Sequence, residues 1–125
     1  MEGYKVSIRE CSKDLTARER IAMKDLGEAI KLDEAITEDK KIVIYPEGYA
    51  ILDIHNEKSD NPDYVNYVVF DKDGQKFVTG SESFWTSYRD IKDEMEGEAE
   101  SWGITAYKLP SKKYTGKDFI TCSIL

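Results

Sequence analysis

The chain has 125 residues, of which 40% are hydrophobic, 11% aromatic and 34% charged, and its 18 basic and 25 acidic residues give a net charge of −7. This length fits one compact domain, and the apolar content is high enough to build a core, which excludes an intrinsically disordered chain. No apolar run approaches the about 20 residues of a membrane span, and the acidic balance argues against a protein that coats duplex DNA.

The first 40 residues are predicted to form a strand-helix extension. The segment Tyr4–Ile8 alternates between apolar and polar residues, which is typical of a short strand. The capping-box pattern of residues 16–19 (Thr-Ala-Arg-Glu) predicts a helix of about three turns. Residues 29–40 are acidic and irregular, so we interpret them as a connector in which Leu32 and Ile36 are buried.

Four strands are predicted next, from segments rich in β-branched and aromatic residues: Lys41–Tyr45, Tyr49–His55, Tyr64–Phe70 and Lys76–Thr79. Alternation in the second strand places Ala50, Leu52 and Ile54 on one face. The last two strands form a hairpin through Asp71-Lys-Asp-Gly74, where the glycine fits a turn that needs a positive φ.

The spacing of the apolar residues then changes from the alternation of a strand to the three- and four-residue steps of a helix, which predicts a second helix. Phe84, Tyr88, Ile91 and Met95 recur at spacings of 4, 3 and 4 residues, which makes one apolar stripe on a helix that begins after Ser83. Two more strands are predicted on either side of a loop over residues 110–117: Gly103–Leu109 and Asp118–Leu125.

The order of these elements favours a mostly β fold with two helices. Three strands, a helix and two closing strands are the order of a five-stranded Greek-key barrel of the OB type. We therefore expect a single domain over residues 1–125, with residues 1–40 as the N-terminal extension and residues 41–125 as the OB-like barrel core. The segment Lys41–Tyr45 would extend the first barrel strand through a bend. The alternative is an open α+β sheet, which shares the same elements and differs only in closure.

The residues for common catalytic and metal-binding chemistry are missing. His55 is the single histidine, so a zinc site of paired cysteine and histidine has too few ligands, and no phosphate-binding P-loop motif is present. Without an export signal at the N-terminus, Cys11 and Cys122 are expected to be reduced thiols in the cytoplasm. We therefore expect a cytoplasmic protein with no enzymatic activity, no cofactor and no metal.

The charges are distributed unevenly along the chain. Residues 104–125 contain four lysines against one aspartate, whereas residues 86–101 contain two basic against six acidic residues. A locally basic segment on an acidic chain would hold a polyanion in one groove only. Lysines bind backbone phosphates, and tyrosines stack on unpaired bases. The candidate residues for such a groove are Tyr49, Lys58, Tyr64, Asn66, Lys76, Tyr107, Lys108, Lys112, Lys113, Tyr114 and Lys117. We interpret Trp85, Trp102 and Phe119 as core or helix-packing residues.

Four segments carry a resemblance to a known family: residues 15–20 (LTARER), 50–59 (AILDIHNEKS), 77–85 (FVTGSESFW) and 109–124 (LPSKKYTGKDFITCSI). Together they resemble small single-stranded DNA-binding proteins encoded by phages and prophages of Gram-positive bacteria. The resemblance implies an OB-like fold, binding of single strands without sequence preference, and a role in phage DNA replication or recombination inside the bacterial host cell.

The expected partners follow from this interpretation. They are single-stranded DNA and phage replication or recombination proteins, with no membrane, and the edge strands would allow a homo-oligomer. The alternative function is that of an acidic phage protein that binds and inhibits a host protein, for example as a mimic of DNA. A small-molecule binder that uses the mouth of the barrel is a third interpretation.

Overall fold

A computed structural model of the chain describes residues 3–110 and 118–125. These residues form eight strands and three helices: β1 (Tyr4–Cys11), α1 (Ala17–Lys24), β2 (Ile30–Lys31), α2 (Leu32–Ala35), β3 (Ile42–Ile44), β4 (Pro46–Asn56), β5 (Asp63–Asp71), β6 (Lys76–Thr79), α3 (Glu82–Met95), β7 (Ile104–Pro110) and β8 (Asp118–Ile124). The mostly β prediction is confirmed, and the short helix α2 adds a third helix to the two expected. No helix of the described residues has the length and apolar character needed to cross a membrane.

The strands are divided between two sheets. One has five strands in the order β1-β4-β5-β6-β2, and the other has three in the order β3-β7-β8. Within residues 3–110 and 118–125 these sheets are open and no closed barrel is present, so an open, β-rich α+β fold describes the chain. Only Tyr45 separates β3 from β4, so the chain passes from one sheet to the other at the place where a bend is predicted.

The chain forms two compact units. The described residues up to Ile30, together with Glu47–Gly80, make up unit 1, and Lys31–Pro46 with the described residues from Ser81 onward make up unit 2. Unit 1 holds α1 and most of the five-stranded sheet, whereas unit 2 holds α2, α3 and the three-stranded sheet. This division runs through the middle of the predicted 41–125 core and does not follow a boundary at residue 40.

Unit 1 packs α1 on one face of its sheet. Thr16 caps the helix: its hydroxyl accepts from the backbone N–H of Glu19, and the Glu19 carboxylate accepts from the backbone N–H of Thr16, as the capping-box pattern predicts. Met23 of α1 is buried in a core that also contains the predicted face of β4 and parts of β5 and β6: Ala50, Leu52, Ile54, Val68, Phe70 and Val78. The β5–β6 hairpin turns through Gly74, which has the expected positive φ of 82°.

Unit 2 packs α3 beside β8. The helix begins two residues earlier than predicted because the Ser81 hydroxyl accepts from the backbone N–H of Phe84 and caps it. Phe84, Trp85 and Tyr88 are buried. The rings of Phe84 and Tyr88 are stacked, with their centres 6.2 Å apart. Leu32 and Ile36 are fully buried, which confirms their predicted burial, although Leu32 lies in α2 and not in an irregular connector.

Candidate functional site

One face of the three-stranded sheet in unit 2 is buried and the other is partly exposed. On the buried face, Ile44, Ile104, Ala106, Ile120 and Cys122 are each at most 5% exposed. The register of β3, β7 and β8 places a second set of side chains on the opposite face. We call these the open face: Val43, Thr105, Tyr107, Leu109, Phe119, Thr121 and Ser123. Thr121 is 9% exposed and its hydroxyl lies 2.9 Å from that of Ser87, so α3 covers this part of the face.

The open face carries large apolar groups. Leu109 is paired with Phe119 across β7 and β8, and Tyr107 is two residues before Leu109 on the same face. Phe119 is 36% exposed, Leu109 41% and Val43 49%. Phe119 was predicted to be a core or helix-packing residue, and the core alternative is wrong because the register turns its ring to the partly exposed face.

Tyr107 is held in place by two neighbours. Its hydroxyl lies 2.7 Å from the hydroxyl of Ser123 on β8, and the ammonium group of Lys41 lies 5.6 Å from the centre of its ring. This last contact is a cation–π interaction, and it places a positive charge on the same face as the aromatic rings. A partly exposed sheet face with two aromatic rings and a cation is suited to bind a flat, anionic molecule.

The register separates Lys108 from Tyr107. Lys108 is paired with Ile120 on the buried face, and its ammonium group donates a 3.3 Å hydrogen bond to the backbone carbonyl of Asp33 in α2. The two neighbours in sequence therefore point to opposite sides of the sheet, and only Tyr107 belongs to the open face.

Five of the candidate residues lie in unit 1, where they do not share one surface. Tyr49 is next to the buried Ala50 and faces away from the core, and its hydroxyl donates to the carboxylate of Glu10 at 2.5 Å. Tyr64 packs against the core on the opposite face of the sheet. Lys58 is exposed in the turn after β4, where its backbone N–H donates to the side chain of Asn56.

Asn66 and Lys76 complete this set. Asn66 is half-buried on β5, and its side-chain oxygen lies close to Gly80. The ammonium group of Lys76 donates to the backbone carbonyl oxygens of Ala22 and Asp25 at the end of α1. Lys76 is thus engaged in a structural contact that the sequence did not reveal.

The remaining candidates are Lys112, Lys113, Tyr114 and Lys117, and they lie outside the described residues. Lys41 was missed as a candidate because it was interpreted as the first residue of a strand. Phe119 was missed because its neighbours in sequence are apolar. The signal that could have found both is the pairing register, since it fixes which side chains share a face with Tyr107.

His55 in unit 1 lies between two carboxylates. Its Nδ1 atom is 2.7 Å from Asp63 and its Nε2 atom is 3.6 Å from Glu57. The hydrogen bond to Asp63, with a smaller contribution from Glu57, raises the pKa of His55 above its ordinary value. Glu57 directly follows β4 and Asp63 is the first residue of β5. The protonated imidazole therefore bridges the two ends of the segment between these strands.

The chain was compared with protein-family models, with curated proteins and with solved structures, and none of the three comparisons found a match.

Proposed function

We propose that the protein binds single-stranded DNA on the open face, without preference for base sequence. The observation that supports this proposal is the placement of the half-buried Tyr107 and the exposed Phe119 on one partly exposed sheet face beside the ammonium group of Lys41. Unpaired bases stack on such rings with a gain of about 1–3 kcal/mol per base, and because every base has a flat face the gain depends little on sequence. Stacked, paired bases of a duplex do not present their faces in this way.

The distribution of charged residues in unit 2 also supports DNA binding on the open face. Lys41 brings a cation to the open face, and the sequence between β7 and β8 contains three lysines and one tyrosine. The exposed carboxylates of unit 2 form two groups along the chain. One is on α3 and just after it, with Asp90, Asp93 and Glu94 among its members, and the other precedes Lys41: Asp33, Glu34, Glu38 and Asp39. These carboxylates repel phosphate, so the proposed binding is confined to the basic side of an acidic protein.

The fold and the family resemblance support a related role. The order β4, β5, β6, α3, β7 and β8, with β3 leading directly into β4, agrees with a partly open barrel of the OB type. We therefore propose an OB-like relationship and, from the resemblance to phage single-stranded DNA-binding proteins, a role in phage DNA replication or recombination in the bacterial cytoplasm.

A salt-dependent binding assay tests the proposal. Fluorescence anisotropy with labelled oligo(dT) should give tighter binding than the same assay with a duplex of equal length. If about four phosphates are neutralised, the logarithm of affinity should fall with the logarithm of salt concentration at a slope near −3, since each contact to a single strand contributes about −0.7. Equal affinity for the duplex, or a flat response to salt, would refute the proposal.

Two lysine variants test the position of the site. Lys41→Met should make the salt slope shallower by about 0.7, because one phosphate contact is lost. Lys72→Met is the matched control, since Lys72 is exposed on the β5–β6 turn of unit 1 and does not belong to the open face. Identical salt slopes for the two variants would show that Lys41 does not contact a phosphate of the bound DNA.

A second function is favoured by the exposed carboxylates of α3. As an acidic mimic of DNA, the protein would bind a basic host protein through this helix. In that case the chain would not bind oligo(dT), and it would displace a basic DNA-binding protein from duplex DNA. The double variant Asp93→Asn with Glu94→Gln would then weaken the displacement, whereas it would leave or improve binding of oligo(dT) under the first proposal.

A further inference from the structure

A cavity of about 180 Å³ lies in unit 1 between α1 and the sheet. Its apolar wall is formed by Leu15, Met23 and Phe70. Met23 and Phe70 are at most 8% exposed and belong to the core of unit 1, so the cavity opens directly onto that core. An apolar group placed against this wall is removed from water, which is favourable by about 25 cal/mol for each Å² buried.

The size of the cavity limits what it can hold. Pockets for drug-sized ligands measure about 300–1,000 Å³, whereas an apolar cavity of about 150 Å³ holds one benzene molecule. The cavity therefore fits one group of the size of a phenyl ring or a branched aliphatic chain.

Two ammonium groups line the same cavity. The Nζ atom of Lys13 lies 5.2 Å from the centre of the Phe70 ring, above the apolar wall. The Nζ atom of Lys76 is held by the carbonyl oxygens of Ala22 and Asp25. An ammonium group has three donors, and these two carbonyls use two of those of Lys76. Within the described part of the chain, neither lysine forms an ion pair.

The residues that line the cavity carry two cations and one carboxylate. Glu19 is the one carboxylate among the residues that line the cavity, and its oxygen accepts the backbone N–H of Thr16 in the capping box. Three more carboxylates, those of Asp25, Glu28 and Asp73, line the neighbouring pocket that shares Lys76, so the positive charge beside the apolar wall comes mainly from Lys13. Burial also lowers the pKa of Lys76, while the charge of Asp25 acts in the opposite direction, so an added anion would stabilise a partly desolvated ammonium group.

We propose that this cavity binds an apolar monocarboxylate, with its phenyl or branched aliphatic group against Phe70 and Met23 and its carboxylate at the ammonium groups of Lys13 and Lys76. This chemistry is found in free carboxylic acids and in the C-terminal residue of a peptide.

Titration of the full chain with small ligands, followed by two-dimensional NMR, tests the proposed chemistry. Phenylacetate should bind with a dissociation constant of about 1 mM or tighter, as expected for a ligand of this size, and should shift the methyl signal of Met23. Phenylacetamide, which lacks the charge, should bind at least about tenfold more weakly, because the charge-assisted hydrogen bonds are lost. Acetate, which lacks the apolar group, should cause no shift of Met23. Equal binding of phenylacetate and phenylacetamide would overturn the proposal, as would the absence of any shift with phenylacetate.

A peptide arm identifies the source of the carboxylate. N-acetyl-Gly-Phe with a free C-terminus should be compared with phenylacetate and with the same peptide amidated. Tighter binding of the free peptide than of phenylacetate would assign the site to peptide C-termini, and weaker binding would assign it to free acids. Equal binding of the free and the amidated peptide would contradict a carboxylate site.

Two variants test the location. Ala22→Leu should abolish binding, because Ala22 lines the cavity from the exposed side of α1 and leucine keeps a high helix propensity. Lys13→Gln should weaken phenylacetate binding about tenfold, while the control Lys24→Gln, at the end of α1 and not in the lining, should leave it unchanged. Unchanged affinity in both Ala22→Leu and Lys13→Gln, with circular dichroism spectra like that of the wild type, would overturn the proposal.

Discussion

Replacing Lys76 with methionine tests whether this lysine stabilises the C-terminal end of α1. Its ammonium group donates to the carbonyl oxygens of Ala22 and Asp25. Carbonyls in the last turn of a helix have no donor within the helix, and a cation there also interacts favourably with the helix dipole. Methionine keeps an unbranched stem but removes both the donor and the charge, so the variant isolates this contact.

We expect Lys76→Met to lower the free energy of unfolding by about 1–2 kcal/mol. A hydrogen bond to a charged group contributes about 1.5–3 kcal/mol, and a cation at a helix C-terminus adds about 0.3–1 kcal/mol. Two effects reduce the total. The carbonyl oxygen of Ala22 keeps a backbone donor, the N–H of Asp25, and water partly screens the half-buried ammonium group. For a chain of this length the change corresponds to a fall in Tm of about 3–8 °C.

Urea denaturation followed by far-ultraviolet circular dichroism measures this change. Lys72→Met, on the same hairpin but exposed, is the matched control. The account predicts a lower midpoint for Lys76→Met with an unchanged m-value. If the free energies of unfolding of Lys76→Met and Lys72→Met agreed within about 0.3 kcal/mol, the contact of Lys76 with α1 would contribute nothing to stability. If Lys76→Met instead weakened binding of oligo(dT) without loss of stability, Lys76 would be a nucleic-acid contact, as the sequence suggested.

Three further predictions concern other parts of the chain. The hydrogen bond to Asp63 raises the pKa of His55. The protonated His55 therefore stabilises the fold fully below about pH 6.5, and this stabilisation is lost as the pH rises through the higher pKa of the folded state. His55→Gln should remove this pH-dependent part of Tm between about pH 6 and 8. Thr16→Ala breaks the capping box and should cost about 1 kcal/mol in urea denaturation, whereas Thr16→Ser should not. Burial raises the pKa of the Cys122 thiol to about 12, so Ellman's reagent should label the half-buried Cys11 in the native chain and Cys122 only after unfolding.

Local patterns in the sequence predicted most of the elements because their causes are local. The capping box at Thr16, the positive φ at Gly74 and the apolar stripe from Phe84 each depend on residues a few positions apart. The buried face of β4, including Leu52, followed from alternation alone. Helix α2 was missed because its four residues are too few to show a helical period.

The roles of single side chains could not be predicted in the same way, because they depend on distant residues. Lys76 is bound by the end of α1, more than 50 positions earlier in the chain. Phe119 resembles a core residue by its composition, and only the pairing of β7 with β8 places it on the open face. Alternation tells which side chains share a face, but the coverage of that face is decided by tertiary packing.

The affinity of oligo(dT) for variants of the open face tests the central claim most directly. Phe119→Leu keeps an apolar side chain but removes the stacking plane, and Tyr107→Phe keeps the ring and loses only the contact with Ser123. Anisotropy titrations should show an affinity about 5- to 150-fold lower for Phe119→Leu, from a loss of about 1–3 kcal/mol, and nearly wild-type affinity for Tyr107→Phe. Wild-type affinity in both Phe119→Leu and the double variant Tyr107→Leu with Phe119→Leu would contradict binding on this face.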